Sequence, residues 1–107
     1  MKKKKPKKVV FPKSIALLGR EIGIIEQEEI RYKDQIVEGL YEHSNRRMLI
    51  NPEQNDQDKF ETICHEAAHS YLTQLGIDQT LNEREIESVC QIMTMFAVDI
   101  IRGFSKK

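Results

Sequence analysis

The sequence predicts an α+β fold, a small antiparallel sheet followed by two helices. Three observations carry this. β-branched and aliphatic residues fill short runs between turn residues up to Ile50. Asn51-Pro52 then breaks the chain, and beyond it apolar residues recur at helical spacing in two successive segments. The length of 107 residues suits one domain rather than two.

The N-terminus comes first. Residues 1–20 carry eight positive charges and no Asp or Glu, whereas the remaining 87 residues carry nine positive and seventeen negative, a net of −8. Residues 1–13 are therefore expected to form a basic, disordered tail, and residues 14–107 the domain. The acidic domain would not attract nucleic acid through its overall field, so a nucleic-acid role would fall to the lysine-rich tail. No apolar run approaches a membrane span, and Pro12 cuts short Val9-Val10-Phe11 before a secretory apolar region can form. Cys64 and Cys90 both sit in apolar helical patterns and make no disulfide framework, which predicts reduced thiols and a cytoplasmic location.

Within residues 14–25, Ile22, Ile24 and Ile25 suggest a strand that could extend into Glu26–Ile30. Residues 36–43 suggest a second strand and residues 46–50 a third, after a turn at Ser44-Asn45. The first helix follows, with the stripe Phe60, Ile63, Cys64, Ala67, Ala68, Tyr71, Leu72 and Leu75. Asn55 or Asp56 can cap its start, and Gly76 is placed to end it. Thr80 and Glu83 have the spacing of a capping box for the second helix. That helix carries Ile86, Val89, Cys90, Met93, Phe96, Ala97, Ile100 and Ile101 as its own stripe.

Inside the first helix the chain reads His65-Glu66-Ala67-Ala68-His69. Residues four apart share a helix face, so the two imidazoles can converge on one zinc ion. Glu66 lies about 100° further round the helix, out of ligand register but within reach of a water beside the ion, where a general base belongs. Two histidines on a surface helix by chance is the bland alternative, yet two of only three histidines fall in this arrangement. Such a site needs a third protein ligand. Glu83 and Glu87 are the main candidates, with Glu85 and Asp78 behind them. Glu87 is favoured because Ile86 and Cys90, on either side of it, should point inward. Glu83 has a competing use as a cap. Cys64 is expected to point into the core rather than at the metal.

His65-Glu66-Ala67-Ala68-His69, followed by Asn82-Glu83-Arg84-Glu85-Ile86-Glu87, resembles the gluzincin pattern, in which two motif histidines and a downstream helical glutamate hold zinc. Leu17-Leu18-Gly19-Arg20-Glu21-Ile22, Glu38-Gly39-Leu40-Tyr41 and Met48-Leu49-Ile50 look like the stranded lead-in of the small phage-type, ImmA/IrrE-like metallopeptidases. Cys90-Gln91 departs from that group, which tends to have Ala-Asn after the ligand glutamate. The resemblance implies a minimal zincin with one Zn2+ held by His65, His69 and Glu87, and Glu66 as the catalytic carboxylate. It implies a peptide or protein substrate laid along a sheet edge, for which residues 46–50 are the candidate strand, or else an ordinary interior strand. It also implies an oxyanion-stabilising side chain, for which Tyr41, His43 and Tyr71 are candidates. Tyr71 reads more simply as core, and His43 as an exposed turn residue. A non-catalytic zinc-binding regulatory protein on the same fold is the alternative.

Overall fold

A computed structural model describes residues 10–105; most of the expected tail, residues 1–9, lies outside the described residues. The chain is α+β. Six strands, β1 (Ser14–Leu17), β2 (Arg20–Glu26), β3 (Ile30–Tyr32), β4 (Gln35–Val37), β5 (Gly39–Glu42) and β6 (Arg47–Ile50), precede helix α1 (Asp56–Gln74). A short 3-10 turn over Ile77–Thr80 leads to helix α2 (Glu83–Ser105).

The expected first strand is a hairpin. Leu18 and Gly19 both have positive φ (52° and 77°), which is the backbone a two-residue turn needs if it is to match the twist of the flanking strands. The expected second strand is divided between β4 and β5, and β4 pairs with β3 across Lys33-Asp34, also at positive φ. Glu26–Ile30 accordingly does not prolong β2.

The four-stranded sheet has the order β1-β2-β6-β5. It is not wholly antiparallel, which corrects the sequence expectation. β1/β2 and β5/β6 are antiparallel, but β2 and β6 run parallel, with Ile24 opposite Met48 and Glu26 opposite Ile50. The connection over residues 27–46 makes this possible, because it is long enough to return the chain to the starting edge. β6 is consequently an interior strand, and the free edges of this sheet are β1 and β5. Residues 46–50 therefore offer no free edge, and the alternative of an ordinary interior strand holds.

Alternation puts Ile22, Ile24, Met48 and Ile50 on one face, where with Leu17 and Ile63 of α1 they form the main core. Phe11 packs against the same cluster and the Lys13 carbonyl accepts from Ile24 N–H, so the packed structure begins before residue 14. A different face of α1 presents Ala68 and Leu72 to Cys90 of α2, with Ile86, Val89 and Met93 around them. The small residues Ala67 and Ala68 thus let α1 pack closely on both sides, toward the sheet and toward α2. Several residues of the expected stripes fall outside the core. Leu75 is the exposed C-cap residue of α1, and Phe96, Ile100 and Ile101 of α2 are exposed. Asn55 caps α1 by accepting from Asp58 N–H, and Gly76 at φ 75° closes the helix exit. Among the described residues no helix is long and apolar enough to cross a membrane.

Candidate metal centre

Two turns of α1 and the first turn and a half of α2 build the site. His65 and His69 lie one turn apart on the same face of α1, their rings edge to face with centroids 5.0 Å apart. Glu87 reaches across from α2. Its Oε2 lies 3.0 Å from His65 Nε2 and its Oε1 3.1 Å from His69 Nε2. One donor atom from each of the three residues lies within 4.8 Å of the others. Ligands about 2.0–2.1 Å from a tetrahedral ion stand roughly 3.3 Å apart, so these spacings need little adjustment to enclose one. The donor set of two imidazoles and one carboxylate suits zinc but is not specific to it. Burial holds His69 below the ordinary histidine range, against the opposing pull of Glu87, and so favours the neutral imidazole that ligates metals.

Glu66 is not part of the triad but lines the same cleft, on the side toward the sheet. It is only 7% exposed, and its carboxyl is pushed up to about 7, first by burial and then by the charge of Glu87; a hydrogen bond from the Tyr41 backbone N–H opposes the shift. That contact ties α1 to β5 at the metal-site end. Gly39 permits it. A Cβ there would meet Thr62 Cγ2 at 2.5 Å and Glu66 Cγ at 3.2 Å. Sequence reasoning assigned Gly39 no role in the site. The signal was a glycine inside a strand, which often marks close approach of another segment.

β5 also supplies an open edge. Asn51 N–H donates to the Glu38 carbonyl, which together with the β5/β6 register makes 40/49 and 42/47 the mutually hydrogen-bonded pairs. The backbone groups of Gly39 and Tyr41 therefore point outward, to the side where Glu66 stands. Gly39, Leu40, Tyr41 and the two motif histidines line a cleft of about 620 Å³. A second cleft of about 690 Å³ shares Glu38, Thr62 and His65 with it and is lined by Glu53, Asp58 and Glu61.

The other candidates fall elsewhere. Glu83 bonds to Lys33, with both side chains exposed, and does not join the triad. It makes no capping box with Thr80 either; the box is Asn82 with Glu85, each accepting the other's backbone N–H at 2.8–2.9 Å. Glu85 is thereby accounted for. Asp78 lines the cleft, with its Oδ1 buried and unbonded. Tyr71 packs against the main core, as its place on the stripe suggests. The Tyr41 hydroxyl lies 2.9 Å from His43 Nδ1, and both residues line the metal-side cleft, so His43 is exposed but not isolated. Cys64 and Cys90 are free thiols outside the triad; Cys64 is half-buried rather than fully inward, and burial raises the pKa of both.

The chain matches no protein-family model, no curated protein and no solved structure.

Proposed function

We propose that this protein is a zinc-dependent metallopeptidase of minimal zincin type. One observation carries the reading: Glu87 stands against both His65 and His69, while Glu66, the residue following the first of them, is buried beside an open strand edge. His65 Nε2, His69 Nε2 and a Glu87 oxygen would hold the ion. When bound, zinc supplies Lewis acidity that polarises a carbonyl and brings the pKa of water toward about 7.

The chain's own residues supply the rest. A substrate peptide adds alongside β5, hydrogen-bonding to the outward N–H and carbonyl of Gly39 and to the Tyr41 carbonyl, while the Tyr41 N–H stays with Glu66. This edge sits next to the metal-binding helix, so the scissile carbonyl and Glu66 meet in one cleft. Glu66 takes a proton from the attacking water and delivers it to the leaving amine nitrogen as the C–N bond breaks. Its buried position holds it beside that water without direct contact with the metal. The two free thiols accord with a reducing, cytoplasmic setting.

The test is Glu66→Gln, which removes the proton acceptor and nearly preserves volume. Zinc content should stay at one per chain while peptide hydrolysis falls by at least about 10²–10⁴-fold. Unchanged hydrolysis would refute the mechanism. A partner bound equally by wild type and Glu66→Gln, with no cleavage, would assign the chain to the non-catalytic, regulatory class instead.

A further inference from the structure

We infer that the outer face of α2 pairs with α2 of a second copy in antiparallel orientation, giving a two-fold dimer. Ile92, Phe96, Ile100 and Phe104 form a row at spacing four along this helix, with Met95 beside it, and all five are exposed, Ile92 at 69% and Phe96 at 68%. No element among the described residues covers them. Together they present roughly 600 Å² of apolar surface, the upper end of what a monomer leaves in one patch. With flanking polar side chains, that approaches the roughly 800 Å² per partner of a standard interface. Gly103 lies on the same side, about 20° from Ile92 round the helix, and nothing among the described residues approaches where its side chain would be. The fold itself therefore does not demand a glycine there, at a position where glycine weakens a helix.

Charge selects the direction. Two carboxylates lie on this face within about 20° of Ile92, Glu85 at its N-terminal end and Asp99 toward its C-terminal end, and both are exposed. A parallel pair would set Glu85 against Glu85 and Asp99 against Asp99, with the two helix dipoles aligned. An antiparallel pair with its two-fold axis near Phe96 sets Ile92 opposite Ile100 and Ser88 opposite Phe104. It separates the two Asp99 residues by about 9 Å and the two Glu85 residues by about 33 Å along the axis, and it opposes the two helix dipoles. A single self-complementary patch of this kind is what a two-fold dimer requires. Glu87 lies about 140° round α2 from Ile92, so pairing leaves the metal-side cleft open.

Sedimentation equilibrium of the full chain tests the pairing. Wild type should sediment as two chains at micromolar concentration. Phe96→Glu, a change at an exposed position, should raise the dimer dissociation constant by about 30-fold or more, with the far-UV circular dichroism and zinc content unchanged. Disulfide trapping tests the direction, in a Cys64→Ser background. Ile92→Cys mixed with Ile100→Cys should give a cross-linked pair of one chain of each kind, while Ile92→Cys by itself should cross-link poorly. A monomeric wild type would overturn the proposal, as would a dimer indifferent to Phe96→Glu. Efficient cross-linking of Ile92→Cys to itself would overturn the antiparallel arrangement. A monomer that binds phosphatidylglycerol vesicles through this face would assign the face to a lipid surface instead.

Discussion

Glu83 and Glu87 stand one turn apart on α2 and end in different places. Glu87 faces the two histidines, and Glu83 faces Lys33 in solvent. Glu87→Ala should therefore weaken zinc binding by at least about 10²-fold, since it removes a ligand rather than a residue supporting one. Glu83→Ala should leave zinc affinity nearly unchanged, because its exposed ion pair is screened by water. Competition with a chromophoric chelator measures both, and loss of zinc from Glu83→Ala alone would reverse the assignment. Gly39 is the second position where one atom decides. Gly39→Ala must displace Thr62 or the helix that bears it and should cost about 1–3 kcal/mol. Adding Thr62→Ser deletes the offending Cγ2, keeps the hydroxyl bonded to Gln54, and should recover part of that loss in urea denaturation.

At the scale of elements, helix entry is governed by local hydrogen bonding. The start of α2 depends on Asn82 and Glu85, two residues later than the pair Thr80 and Glu83. Thr80 instead donates to the Ile77 carbonyl within the preceding turn. Asn82→Ala should cost about 1 kcal/mol of stability in urea denaturation, and Thr80→Ala less. Equal losses would mean that the turn and the helix cap act as one unit. Because α2 carries Glu87 little more than a turn beyond this cap, a frayed start should also lower zinc affinity in Asn82→Ala.

At the scale of the molecule, a metal held at the triad would join two elements that otherwise meet through a small core. α1 and α2 touch through Ala68, Leu72 and Cys90, flanked by Ile86, Val89 and Met93, and the triad closes the same junction at its open end. If the triad holds zinc as proposed, the ion needs the folded chain to bring these residues together and should stabilise it by mass action. At one hundred times the dissociation constant the gain is about 2.7 kcal/mol, or roughly 10–20 °C in melting temperature for a domain of this size. Thermal melts with zinc and with chelator measure it. His65→Ala should abolish the difference, and a zinc-induced rise that survives in that variant would place the metal elsewhere.

The two helices, the pairing of His65 with His69, the cap at Asn55 and the stop at Gly76 could be read from the sequence, because each depends on residues within a turn or two of one another. The preference for Glu87 over Glu83 could also be argued there, from the inward neighbours Ile86 and Cys90. The strands were legible only as segments. Their apolar content marks extended chain, but not where Leu18-Gly19 turns it or which strand it pairs with. The parallel pairing of β2 with β6, and hence the choice of β5 as the open edge, was decided by tertiary structure. Backbone hydrogen bonding is much the same for any strand, so only the packing of Ile22, Ile24, Met48 and Ile50 against α1 selects the order. The same holds for Gly39 and Glu66. Their contact joins residues distant in the chain, and it exists because the sheet brings β5 under the helix that carries the histidines.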